Sequence, residues 1–280
     1  MSTEPTTAKS PASVNSLATD YTRESTPSRV PEAAPTNERA SSKGPSPIKQ
    51  EPTAAKRAPV QAVHHEARNA TNSAAFVLPT LERLKASNPN LKILDVGCGS
   101  GSITASFARL FPSSHVTGLD VNAHILPRAR AVAGSLTNVT FVEGAAHELP
   151  FPAGSFDVAF CHQVLVWTPN QWEILREMLR VVSPGGVVAA REGDYATEVV
   201  WPEIPVLVDK YPRMVKGAMD AGGGSSTAGR RLVEWAMRAG VKRERVELGY
   251  GTWVYDRKEE RRTWGELGSF FCPRSVLDRD

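Results

Sequence analysis

Short apolar runs alternate with stretches of helical spacing along most of the chain. Leu91, Ile93, Leu94 and Val96 enclose one acid, Asp95, and read as a strand covered on both faces. Ile103, Phe107 and Leu110 then repeat at helical spacing from Ser102, and Pro112 stops that helix. Further strands are predicted at His115–Leu119, Val139–Glu143, Ser155–Phe160, Val187–Arg191 and Val246–Tyr255. A helix is expected from Ile125 or Pro127. Another follows Thr168, which can cap it in a box with Gln171, and Trp172, Leu175, Met178, Leu179 and Val182 form its inward stripe. Thr227–Gly240 is the last predicted helix, with Leu232, Trp235, Ala236 and Ala239 inward and Gly240 as its stop. Between Ala196 and Gly224 the pattern is irregular, and Trp201, Tyr211 and Met214 are candidates to line a pocket there. Strands in regular alternation with helices imply an α/β fold: a Rossmann-like, doubly wound sheet of six or seven strands with helices on both faces.

The first 60 residues are a different material. Ser, Thr, Pro and Ala dominate them, and Tyr21 is their one aromatic residue. Such a segment buries too little apolar surface to offset its conformational entropy, so a disordered tail (1–60) is expected before a folded domain (61–280). Ser10-Pro11, Thr26-Pro27, Ser46-Pro47 and Ile48-Lys49-Gln50-Glu51 are short modification-like motifs that point to a eukaryotic source. His64–Leu84 carries a roughly helical stripe, interrupted by Pro79. His64-His65-Glu66 is read as a solvated face, because neighbouring positions diverge on a helix.

Charge and composition narrow the classes. A net charge of +3 over 280 residues, with no dense basic stripe, argues against nucleic acid. No apolar run is long enough to span a bilayer, and no signal-peptide pattern opens the chain. The 3 cysteines, Cys98, Cys161 and Cys272, form no C-x-x-C pair, so neither a disulfide framework nor a metal site is expected. A cytoplasmic or nuclear location follows.

The chemistry is carried by Asp95-Val96-Gly97-Cys98-Gly99-Ser100-Gly101. Its glycines allow a sharp strand-to-helix turn and keep side chains away from a ligand. Backbone N–H groups at the helix start are expected to face that ligand. A dinucleotide fingerprint would read G-x-G-x-x-G, but here the spacing is G-x-G-x-G and Ser102 follows. Asp95, just ahead of the turn, would repel a pyrophosphate and suit an ammonium or a sulfonium. A second acid, Asp120, ends the next strand, about 20 residues on, where a carboxylate can accept from both hydroxyls of a ribose. The alternative for Asp120 is a helix cap.

The loop together with Asp95 resembles motif I of the class I S-adenosylmethionine-dependent methyltransferases. The string Phe156-Asp157-Val158-Ala159-Phe160-Cys161-His162-Gln163-Val164-Leu165 resembles the group named after ubiquinone and menaquinone biosynthesis, over roughly residues 64–270. The resemblance implies S-adenosyl-L-methionine as cofactor, held by Asp95, Gly97, Cys98, Gly99, Gly101, Asp120, Val121, Ala145, Ala146 and His162. Gly144-Ala145-Ala146-His147-Glu148-Leu149-Pro150-Phe151 departs from the family's G-D-A-x-x-L-P-F at Ala145, which removes one polar contact to the adenine. The resemblance also lays an N-terminal helix over the cofactor, so that Arg68, Asn72 and Ser73 could face the site, and makes Arg176 and Glu177 structural. Family sheets close with a seventh, antiparallel strand after the sixth, yet only a charged segment, 256–262, and Trp264–Leu277 follow Tyr255. A missing strand would leave backbone groups unpaired.

Methyl transfer from a sulfonium is an in-line displacement, so alignment of the acceptor and exclusion of water dominate. Where a base is needed, His162 is the first candidate and Asp194 the next, followed by Tyr195. Cofactor packing is the alternative role for His162. Three readings stay open on the sequence. One is an enzyme methylating a small, hydrophobic metabolite, and another is a protein-directed methyltransferase or regulator recruited through the tail. The third is a methyltransferase-like protein without activity. Removing residues 1–60 should spare the first and cripple the second.

Overall fold

The computed structural model describes residues 16–21, 65–199 and 206–254, together with the isolated positions 201, 203 and 258. The modification-like motifs, Cys272, the side chain of Tyr211 and the segment from Tyr255 on (258 apart) lie outside the described residues.

The sheet forms as the alternation of apolar positions requires. Its strands are β1 (Ser16–Tyr21), β2 (Lys92–Val96), β3 (His115–Asp120), β4 (Val139–Glu143), β5 (Phe156–His162), β6 (Val182–Arg191) and β7 (Val246–Gly249). They are ordered β4-β3-β2-β5-β6-β1-β7. The five strands β2 to β6 pair in parallel. The order reverses between β2 and β5, which puts a crevice beyond their carboxyl ends.

Helices cover both faces. On one side α5 (Gln171–Val181), α6 (Tyr211–Ala221) and α7 (Ala228–Arg238) bury Ile174, Met178, Met219, Leu232 and Trp235 against Leu94, Val96, Ala159 and Val188. On the other, α1 (Ala70–Ser73), α2 (Leu78–Ser87) and α3 (Ser102–Leu110) bury Ala70, Leu81 and Phe107 against Ile93, Val158, Phe160 and Ala189. Consecutive residues of one strand, such as Ile93 and Leu94, thus serve opposite cores. The short α4 (Leu126–Ala133) packs Leu126 and Ala129 against Ala105 and Phe141.

The seventh strand does exist, and it comes from the other end of the chain. β1 lies antiparallel to both neighbours, from Ser16 opposite Arg191 and Gly249 to Tyr21 opposite Gly186. It supplies backbone partners to both β6 and β7. Ser16–Tyr21 therefore departs from the expectation of an unstructured tail, and the sheet draws a strand from ahead of residue 61. Leu17, Thr19 and Tyr21 alternate with Ala18 and Asp20, a period of two that suits a strand.

Three local expectations also change. α5 starts after Asn170, which holds a left-handed φ of 55° and makes no side-chain cap. Thr168 does not cap it, because its hydroxyl donates back to the Val164 carbonyl at 3.1 Å and closes the preceding turn. The segment expected to be irregular contains α6, whose Val215 and Met219, four apart, are buried. β6 begins at Val182, ahead of Pro184, and β7 ends at Gly249, short of Tyr255.

Candidate active site

The glycine turn is built to make room. Gly97, Gly99 and Gly101 all hold left-handed φ values, of 70°, 52° and 73°. A side chain on Gly97 would collide with Val164, and one on Gly101 would meet Ala129 and the Phe141 ring at 2.8 Å. At Gly99 a side chain would meet no atom of the described residues within 4 Å, so the turn opens to free space there.

Within the turn itself, four backbone donors ahead of the helix start are engaged by the protein. Gly97 and Cys98 N–H donate to the Leu119 carbonyl at 2.7 and 2.9 Å, and Gly101 N–H to the Cys98 carbonyl at 2.9 Å. Gly99 N–H donates to Asp120 Oδ2 at 2.8 Å. A phosphate-binding turn would keep such donors for its anion.

Asp120 does not cap a helix. Its Oδ1 accepts from Asn122 N–H at 2.9 Å, while α4 starts only at Leu126. Each carboxylate oxygen has a second lone pair, so both can still accept from a ligand hydroxyl. Val121, beside it, is 72% exposed and offers an apolar surface at the crevice. Ala145 and Ala146 sit half-buried in the loop after β4, joined to this corner by Gly144 N–H, which donates to the Asp120 carbonyl at 3.0 Å.

Asp95 is 2% exposed, and its Oδ2 accepts from the Thr104 hydroxyl at 2.6 Å. Burial pushes its carboxyl up to about 7, against the pull of that hydrogen bond and with help from the Asp120 charge. Burial likewise raises the Cys98 and Cys161 thiols, which leaves both protonated and unreactive.

Across the crevice, His162 closes β5, in register with Arg191 at the end of β6. It is 7% exposed, and burial, reinforced by the charges of Arg68 and Arg191, holds its imidazole well below the ordinary histidine range. Among the described residues, His162 Nε2 and Ser100 Oγ are buried without a hydrogen-bond partner. Both stand at this edge of the sheet, where a polar ligand would satisfy them.

A strap of residues 65–73 crosses the same edge. Glu66 takes a two-point ion pair from Arg128, at 2.6 and 2.7 Å. Ser102 donates to the His65 carbonyl at 2.9 Å, and Ala70 N–H to Ser106 Oγ at 3.0 Å. Arg68 donates to Gln163 Oε1 at 3.0 Å, and Arg191 to the Asn72 carbonyl at 2.8 Å. His65 is exposed, as a solvated face requires, while its carbonyl and the half-buried Glu66 side chain anchor the strap; His64 lies outside the described residues. Asn72 and Ser73 lie within it, and Ser73 is buried.

One residue of the site escaped the sequence. Glu192 is 1% exposed and accepts from three consecutive backbone amides, Val164 and Leu165 on Oε1 and Val166 on Oε2, at 3.0 to 3.2 Å. It fixes the loop after β5, where Gln163 holds a left-handed φ of 54° and Val164 presses on Gly97. Burial pushes its carboxyl up to about 7 despite those donors. Two residues on, the Asp194 carboxylate pairs with Arg230 of α7 at 2.9 Å and caps the turn at Tyr195–Thr197. Glu177 accepts from Leu149 N–H and from Arg180, the structural role expected of it.

The doubly wound sheet, with its glycine turn and two acids at adjoining strand tips, is a class I S-adenosyl-L-methionine-dependent methyltransferase fold. Residues 94–190 match the family described as methyltransferase domain, and the cofactor of that domain is S-adenosyl-L-methionine.

The chain is 33% identical to an uncharacterized methyltransferase of Schizosaccharomyces pombe over 184 residues, 62% of this chain and 64% of that protein. It is 34% identical to trans-aconitate 2-methyltransferase of Deinococcus radiodurans over 46% of each chain. To demethylmenaquinone methyltransferase of Staphylococcus aureus it is also 34% identical, over 46% of this chain and 54% of that one. The chain thus spans roughly half to two thirds of these relatives, and their variety singles out no subgroup. The solved complex of the methyltransferase CalH with S-adenosylhomocysteine is 27% identical over 40% of this chain and 34% of that one, with a TM-score of 0.36. No helix among the described residues is long and apolar enough to cross a membrane, and no group of metal-ligating side chains occurs among them.

Proposed function

We propose that the chain is an S-adenosyl-L-methionine-dependent methyltransferase acting on a small molecule. The observation that carries the reading is the pairing of Asp95 and Asp120 around Gly99, whose missing side chain opens the turn to free space. Bound S-adenosyl-L-methionine supplies a methyl group already activated on a sulfonium. Asp120 holds the ribose hydroxyls, Gly99 lets the nucleoside lie against the backbone, and Val121 with Ala145 and Ala146 lines the adenine. Asp95, ionised when a cation lies near, complements the positive end. The strap 65–73 shields the reacting atoms from water, and His162 and the strap orient the acceptor.

His162 serves this chemistry better as a neutral, packed hydrogen-bonding group than as a base. A ring that binds protons so weakly is poorly matched to remove one from a high-pKa acceptor. Asp194, tied to Arg230, orders the wall next to α7.

Calorimetric titration with S-adenosylhomocysteine tests the reading. Binding in the micromolar range, about −8 kcal/mol, is expected for the full chain, with at least a roughly tenfold loss in Asp120→Ala. No heat with the full chain would reject the reading.

A further inference from the structure

Beside the glycine turn, on the far side of β5, three cationic or polar groups gather around one aromatic ring. The indole of Trp253 stacks on the His162 ring, with centroids 6.2 Å apart and planes inclined by 27°. The Arg191 guanidinium lies 4.7 Å from the indole centroid and that of Arg68 5.7 Å. Arg191 is held by the Asn72 carbonyl and Arg68 by Gln163, so both guanidiniums are fixed before any ligand arrives. Underneath, His162 Nε2 is buried and unpartnered. Trp253 itself comes from the short segment after β7, between Tyr250 and Val254, whose side chains are exposed.

We propose that the Trp253 indole stands where the acceptor's ring binds, and that the subsite takes a flat aromatic molecule carrying an anionic oxygen. The inference rests on the methyltransferase reading above. His162 offers a planar floor, and two guanidiniums favour both a π-face and a negative charge. His162 Nε2 gains a hydrogen-bond partner from a polar group on the ring. An acceptor that arrives as a carboxylate or phenolate has no proton to lose. Its lone pair forms the new O–C bond while the S–C bond breaks and leaves its electron pair on sulfur. Anion and sulfonium become two neutral products, and no base is required. The chemistry agrees with an imidazole kept neutral between two arginines. Trp253 must leave the floor for the acceptor to enter, and it sits outside the sheet, four residues beyond β7.

The test uses the full chain saturated with S-adenosylhomocysteine and three probes: 2-naphthoate, its neutral amide 2-naphthamide, and the non-planar cyclohexanecarboxylate. Trp253→Ala is expected to bind 2-naphthoate roughly tenfold more tightly than wild type does, and roughly tenfold more tightly than it binds either other probe. Arg191→Gln in the Trp253→Ala background should erase the preference of naphthoate over naphthamide. Arg68→Gln is the second variant should the loss of the Asn72 contact unfold the first, with retained S-adenosylhomocysteine heat as the check on folding. Equal affinity for naphthoate and naphthamide, or weaker naphthoate binding in Trp253→Ala than in wild type, overturns the proposal. Absence of S-adenosylhomocysteine binding by wild type would instead reject the methyltransferase reading itself.

Discussion

Replacing Glu192 by Gln tests how the site is held together. The carboxylate accepts from three backbone amides, two on one oxygen and one on the other. The amide keeps one oxygen for Val164 and Leu165 and turns an NH2 group towards Val166 N–H. One hydrogen bond is lost and a buried donor is left unpaired, at a cost of about 1–3 kcal/mol.

Ionisation opposes that loss. Glu192 is raised from 4.5 to about 7 by burial, so the folded state keeps a proton that the unfolded chain has released. The stabilisation is fully present below about pH 4.5 and disappears as the pH rises through about 7. Its full size is about 3 kcal/mol, and most of it falls between pH 5 and pH 8. Gln cannot titrate, so the mutational cost should be largest at pH 5 and shrink by about that amount by pH 8. Urea unfolding of wild type and Glu192→Gln at both pH values measures the difference and removes the parallel contribution of Asp95. The loop carries Val164 against Gly97, so the variant should also bind S-adenosylhomocysteine more weakly. Stability curves that run parallel with pH would refute the assignment of a buried, proton-holding Glu192.

Three further outcomes are expected. Gly97→Ala should cost stability, on the order of a few kcal/mol, through left-handed strain and collision with Val164, whereas Gly99→Ala should cost only about 1 kcal/mol in unfolding yet strongly weaken cofactor binding; calorimetry and denaturation on both variants separate the effects. S-adenosyl-L-methionine should bind more tightly at pH 8 than at pH 6, because Asp95 ionises near 7 and the ligand is cationic, and Asp95→Asn should flatten that trend. Truncation before Ser16 should leave the melting temperature unchanged. Removal of residues 1–60 should lower it or cause aggregation, by stripping the partner of β6 and β7 at a cost on the order of a few kcal/mol. Thermal melts of the two truncations decide, and the longer truncation no longer tests recruitment of a partner by the tail.

What could be read from the residues and what could not follow one division. β2, β3, β4 and β5 lie within a residue or two of their expected bounds, because each carries β-compatible apolar residues between polar or turn-forming flanks. Asp95 and Asp120 were found because an acid at a strand tip is conspicuous against such residues. β1 was missed for the converse reason. Ser16–Tyr21 has a period of two over only six residues, set in Ser- and Pro-rich surroundings, and it becomes a strand through the gap between β6 and β7, more than 160 residues away. Glu192 looked like one more polar residue after a strand, since its three partners are backbone amides, which carry no side-chain signature. His162 was found by its motif, but its proton affinity is set by burial in the folded sheet and then by the charges of Arg68 and Arg191, from two other elements. A local pattern therefore locates the groups that bind a cofactor at a strand tip. Their charge state, and the fixing of the loop beside them, come from residues that only the folded sheet brings together.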